Sequence, residues 1–121
     1  MGTSILVVDD DPDILDAVEF TLESEGYIVQ TAVDPAKLMP LLGEQHPALL
    51  VLDFLMSGVD GASITRQLKA HQATRSMPIL MISAHPEAAQ VAQECGADGF
   101  LAKPFDIDEL LETVQQLTIA D

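Results

Sequence analysis

Cysteine is nearly absent from this chain. Cys95 stands alone, so no internal disulfide can form, which fits a reducing compartment. Basic residues are scarce as well: five Lys and Arg face twenty Asp and Glu, for a formal charge of −15. Such a surface repels phosphate backbones and argues against direct nucleic-acid binding. No apolar run approaches the ~20 residues that a membrane helix needs. No basic region precedes the first apolar stretch, Ile5-Leu6-Val7-Val8, so a cytoplasmic location is expected rather than a secretory signal. Low-complexity tracts, long linkers and internal repeats are missing too. One domain over residues 1–121 is expected, close to the commonest domain size.

What is present is a repeated alternation. Hydrophobic residues make up 48% of the chain, enough for one real core. The unbroken apolar run 4–8 reads as a strand covered on both faces. Asp11-Pro12 then suits an N-cap and first helical position, and Ile14, Leu15, Val18 and Leu22 follow at helical spacing. Gly26 suits the helix stop, and residues 27–31 give a weaker edge strand. Asp34-Pro35 opens a second helix, which Pro40 should shorten or kink. Residues 48–52 form a third strand, 58–61 a loop, 64–70 a helix and 78–82 a fourth strand. His85-Pro86 opens a helix that runs to about Glu94 and stops at Gly96; residues 99–102 form the last strand. Asp106 with Glu109 resembles a capping box, and Leu110, Leu111, Val114 and Leu117 give the final helix its apolar face. Five βα units predict an α/β fold, a doubly wound parallel sheet with helices on both faces.

The residues at the strand ends carry chemistry. Asp9 and Asp10 follow the first strand, Asp53 the third, Ser83 the fourth and Lys103 the fifth. In open α/β sheets ligands bind outside the carboxyl ends of the strands, so these five side chains should converge. Two like charges ~4 Å apart repel by about 1 kcal/mol in water and about 4 kcal/mol at an effective dielectric of about 20. A divalent cation relieves that repulsion. Oxygen ligands without nearby His or Cys suit a hard ion such as Mg²⁺. Such an ion, an ammonium and a hydroxyl together stabilise a phosphoryl group, and a carboxylate can be the nucleophile that takes it. Asp11 reads as a helix cap, and His46, His71 and His85 as surface or capping residues.

Five pieces in order resemble one family: Ile5-Leu6-Val7-Val8-Asp9-Asp10-Asp11, Leu50-Val51-Leu52-Asp53, Asp60-Gly61, Ile82-Ser83-Ala84 and Lys103-Pro104-Phe105. Over essentially its whole length the chain resembles the response-regulator receiver domain of two-component signalling. The resemblance implies a flavodoxin-like (βα)5 sandwich, its five-stranded sheet ordered 2-1-3-4-5. It also implies that Asp53 accepts a phosphoryl group from a histidine kinase or phosphotransfer protein. Asp9, Asp10, Asp53 and the backbone carbonyl of Leu55 are then the Mg²⁺ ligands. Ser83 and Lys103 meet the phosphoryl oxygens, Phe100 takes the aromatic switch position, and the Lys103-Pro104 bond is cis. Leu55 and His85 fall at variable positions that tune phosphoryl lifetime. Ser57 stands where many relatives have proline, which should loosen the loop. Phe100 lacks a tyrosine hydroxyl, so any switch there rests on packing.

Such a protein is not an enzyme beyond phosphorylating and dephosphorylating itself. It acts on an output domain or effector protein, whether free-standing or part of a larger regulator. The predicted fourth and fifth helices contain no Lys or Arg, so the charged dimer face of the winged-helix branch is not expected; a homodimer through another face stays open. Two other readings compete. An aspartate-nucleophile phosphatase wants a second acid two residues after its nucleophile, where this chain has Leu55. A pseudo-receiver would not need Asp53, Asp10 and Lys103.

Overall fold

A computed structural model describes residues 2–56 and 58–119. Five parallel strands form the sheet: β1 (Ser4–Val8), β2 (Ile28–Ala32), β3 (Leu49–Asp53), β4 (Ile79–Ser83) and β5 (Gly99–Ala102). Their order across the sheet is β2-β1-β3-β4-β5. Helices α1 (Pro12–Ser24), α2 (Leu38–Gln45), α3 (Gly61–Ala70), α4 (Ala88–Cys95) and α5 (Ile107–Thr118) cover it. This is the flavodoxin-like (βα)5 sandwich.

The period of two along each strand sorts the core into two layers. Ile5, Val7, Leu49, Val51, Leu80 and Ile82 face Leu15, Val18 and Leu22 of α1 and Leu110 and Val114 of α5. Leu6, Val8, Leu50 and Leu52 face Leu38 and Leu42 of α2 and Leu68 of α3. Every residue of β3 and β4 is buried, which is why both read as unbroken apolar runs. Cys95 is buried among Ala62, Met81 and Ala92 as a small packing residue.

Several boundaries differ from the sequence expectation. Strand β2 begins and ends one residue later than predicted. Pro40 is accommodated without a break because it sits in the first turn of α2, behind a 3-10 turn at Pro35–Lys37; an N–H there has no intrahelical partner to lose. The predicted loop 58–61 is partly a ribbon: Leu55–Met56 pairs antiparallel with Val59–Asp60. Ser57, expected to loosen this loop, lies outside the described residues. Helix α3 starts at Gly61, earlier than predicted, because the Asp60 carboxylate accepts the Ala62 N–H at 2.9 Å. Helix α4 starts only at Ala88. The three residues before it form a turn in which His85 Nδ1 accepts the Glu87 N–H at 3.2 Å. The capping box at Asp106 and Glu109 is present with both of its hydrogen bonds.

The amino end of the sheet is tied by one lysine. Lys69 Nζ donates to the carbonyls of Arg75 (3.2 Å) and Met77 (2.9 Å) and to Asp98 Oδ2 (2.7 Å). The same Asp98 oxygen accepts the Ile79 N–H at 2.8 Å. These bonds join α3, the approach to β4 and the approach to β5.

Candidate functional site

At the other end of the sheet, register brings the chemistry together. Val8 lies opposite Leu52, so Asp9 and Asp53 come next along neighbouring strands. Asp53 pairs with Ile82 and Ser83 with Ala102. Lys103 follows immediately, its N–H bonded to the Ser83 carbonyl at 2.8 Å.

Asp9 is fully buried. Its Oδ1 accepts the Asp11 N–H at 2.9 Å and so shapes the turn into α1, while Oδ2 receives Lys103 Nζ at 2.8 Å. The Lys103 ammonium also reaches Asp53 Oδ1 at 3.3 Å. Asp10 is exposed beside them. One oxygen from each of Asp9, Asp10 and Asp53 lies within 4.8 Å of the others. Asp11 is used as the N-cap of α1, accepting the Asp13 N–H at 3.0 Å.

Burial pushes the Asp53 carboxyl up from 3.8 to about 6, and the negative charges of Asp9 and Asp10 push the same way, against the pull of Lys103. Burial alone would lower Lys103. The hydrogen bond to Asp9 and the charges of Asp53 and Asp9 overcome it, and the ammonium is held above its ordinary range. Asp9 and Asp53 therefore share one ammonium, with the Asp10 carboxylate beside them. Their donor set is all oxygen, with no Cys or His in the cluster, which fits a hard divalent cation.

Ser83 ends β4, is buried, and its Oγ accepts the His85 N–H at 2.9 Å. Leu55 begins the ribbon that follows Asp53 and turns its side chain to solvent. Gly61 crosses this segment closely. Its N–H donates to the Phe54 carbonyl at 2.6 Å, and a Cβ on it would stand 2.5 Å from the Asp53 carbonyl oxygen. The Lys103-Pro104 peptide is cis.

The structure therefore brings Asp9, Asp10, Asp53 and Lys103 together and sets Ser83 on the neighbouring strand end. Phe100 is placed apart from them. It is half-buried on β5 and packs on the cluster formed by Ala62, Met81, Ala92 and Cys95. His85 leans on the Phe54 ring, centroids 5.7 Å apart. His46 and His71 are exposed C-caps of α2 and α3. Sequence reasoning missed two features: the direct Asp9–Lys103 ion pair and the close crossing at Gly61. The Asp60-Gly61 pair was a visible signal for the second, though its reason was not.

Residues 5–115 match the family described as the response regulator receiver domain. The chain is 40% identical over 115 residues to the DNA-binding dual master transcriptional regulator RpaA of Synechocystis, covering 93% of this chain and 48% of that protein. It is 36% identical over 118 residues to the transcriptional regulatory protein GltR of Pseudomonas aeruginosa, covering 96% and 49%. It thus spans about half the length of these curated relatives. Among solved structures, a putative response regulator from Chloroflexus aurantiacus superposes with a TM-score of 0.93 at 30% identity, covering 98% of this chain and 99% of that one. The chemotaxis response regulator CheY4 of Vibrio cholerae gives 0.88 at 29% identity, covering 97% and 99%.

The fold and its acidic strand ends define a receiver domain, the phosphoacceptor module of two-component signalling. The chain belongs to the response regulator receiver family. No helix among the described residues is long and apolar enough to cross a membrane.

Proposed function

We propose that this chain takes a phosphoryl group onto Asp53 from the phosphohistidine of a histidine kinase or phosphotransfer protein. The observation that carries this reading is the contact of one ammonium, Lys103, with both Asp9 and Asp53 beside Asp10. A carboxylate oxygen of Asp53 attacks phosphorus, an O–P bond forms, the N–P bond of the donor breaks, and the ring, already protonated on its other nitrogen, takes the bonding pair and leaves as neutral imidazole. Asp9, Asp10, Asp53 and the Leu55 carbonyl are the residues that would hold Mg²⁺, which when bound supplies positive charge to the transferring phosphoryl oxygens. Lys103 neutralises another oxygen, and the Ser83 hydroxyl donates a hydrogen bond to a third. The resulting change around Ser83 and Phe100 is the signal passed to an output domain or effector protein. The site acts in the cytoplasm.

Against a phosphoesterase reading stands Leu55, the second residue after Asp53, exposed and without a proton to give a leaving group. The test is incubation with Mg²⁺ and a small phosphodonor such as acetyl phosphate. A single acid-stable, base-labile phosphate is expected, and Asp53→Asn should abolish it. Sustained turnover of an external phosphoester, or no labelling at all, would overturn the reading.

A further inference from the structure

We propose that the open edge of the sheet, strand β2, receives an extended segment of a partner protein in which Lys or Arg alternates with apolar residues. β2 is the outermost strand on its side of the sheet. The Ile28 N–H bonds the Thr3 carbonyl at 2.9 Å, and the Ala32 carbonyl accepts the Asp9 N–H at 3.2 Å. Residues 28, 30 and 32 therefore turn their backbone groups to β1. By the strand's period of two, Val29 and Thr31 turn theirs outward, where no strand of the sheet lies. Such an edge is a template for another chain, and proteins blunt it with charged side chains or proline. Residues 26–33 contain neither, and Ile28 within them is 59% exposed. A strand added here gains affinity from the main chain and specificity from its alternate side chains.

The two flanks of the edge select those side chains. Val29 packs on the α1 layer and Ala32 on the α2 layer, so a guest strand shows alternate residues to each. On α1, Leu15, Val18 and Leu22 face the sheet, while Ile14, Ala17 and Thr21 line a cavity shared with α5. Helical spacing leaves Asp16, Glu19 and Glu23 in an i, i+3, i+7 row on the other flank, toward the open edge. None of the three has an ion-pair partner among the described residues, and residues 1–36 hold no Lys or Arg. On the α2 side, Ile28, Gln30, Gln45 and Pro47 border a small hollow of about 130 Å³ without a charged residue in its lining. The charges carried nearby, Lys37 ahead of α2 and Glu44 within it, are of opposite sign. Basic residues of the guest therefore belong on the α1 side and apolar ones on the α2 side. A second copy paired through Val29 and Thr31 about a two-fold axis would keep both α1 helices on one face. Its own Asp16, Glu19 and Glu23 would then meet ours, so like charge repels it.

The test uses a short synthetic peptide alternating lysine with valine, and its twin alternating glutamate with valine. The lysine peptide should bind the wild type by fluorescence anisotropy, and the glutamate peptide should not. In the complex, amide hydrogen exchange followed by NMR should slow about tenfold at Val29 and Thr31. It should stay unchanged at Gln30, whose amide already faces β1. Binding that leaves Val29 and Thr31 unprotected overturns strand addition. Glu19→Gln with Glu23→Gln changes two residues outside the phosphoacceptor site and should bind the lysine peptide about tenfold more weakly. Asp108→Asn with Glu112→Gln makes the same charge change on α5 and should bind like the wild type. If this matched variant loses as much, the attraction is to overall charge and the edge is not the site. Self-association in sedimentation, with protection of the same two amides in the absence of peptide, would assign the edge to a second copy and also overturn the proposal.

Discussion

The Lys103 ammonium lies closer to Asp9 than to Asp53, at 2.8 Å against 3.3 Å. Asp9 is fully buried, so this lysine is its compensating charge. Lys103→Met keeps most of the stem and removes the charge. Without metal it should destabilise the fold by about 2 kcal/mol in urea unfolding, because two buried carboxylates lose their cation. In an Asp53→Asn background the same change should cost less, since fewer charges then depend on it. Equal losses in the two backgrounds would show that Lys103 acts without Asp53, through Asp9 or through packing.

Asp53 gives metal-free stability a pH dependence with a defined sign. Its folded value of about 6 stands above 3.8, so the folded state keeps this proton when the unfolded chain has lost it. Stability from this group is therefore full below about pH 4 and falls as pH rises towards about 6. Asp53→Asn removes the dependence. In chelator, the variant should gain on the wild type across that window, by up to ~3 kcal/mol. A wild type that gains on the variant as pH rises would reverse the sign and sink the account.

Asp10 is the exposed member of the acidic trio and adds to the charge around Asp53. Asp10→Asn should raise the melting temperature in chelator by a few degrees, on the scale of ~1 kcal/mol. Mg²⁺ should then stabilise the wild type by about 2.7 kcal/mol at a hundredfold excess over its dissociation constant, and the variant much less. Thermal melts with and without metal check both halves. A variant that melts lower in chelator contradicts stored repulsion at this site.

Gly61 leaves no room for a side chain. A methyl group would stand 2.5 Å from the Asp53 carbonyl oxygen and 3.0 Å from that of Phe54. Both obstacles are backbone, so one chain or the other has to shift. Gly61→Ala gains ~1 kcal/mol in helix propensity, yet should still lower stability by about 1–3 kcal/mol. It should also weaken Mg²⁺ binding several-fold, because Leu55 is carried on the displaced segment. Unchanged metal affinity at reduced stability would confine the role of Gly61 to packing.

Much of this arrangement was readable because the physics is local or periodic. Asp11, Asp34, Asp60 and Asp106 each accept an N–H at the start of a helical element, and three of these caps stood out as Asp-Pro or as a capping box. Strand ends follow from apolar runs that stop at a charge, which is how Asp9, Asp53 and Lys103 came to be placed at one sheet edge. Other features depend on contacts between distant segments. The turn before α4 owes its form to the ring nitrogen of His85, and the ribbon at Leu55–Asp60 to a pairing with no apolar alternation to announce it. The unequal burial of Asp9 and Asp10 depends on distant partners: Asp9 continues β1 beside β3 and meets Lys103, while Asp10 lies past the sheet edge and is exposed. Neighbouring identical residues give no sign of it.

Lys69 gives the molecule a mechanical polarity. All three hydrogens of its ammonium are taken, by two backbone carbonyls and a carboxylate that also grips the first residue of β4. The base of the sheet is thereby clamped, and α3 cannot slide along β4 without breaking several bonds at once. Displacement that answers a new charge at the opposite rim is therefore expected in the rim's own loops rather than at this tied end.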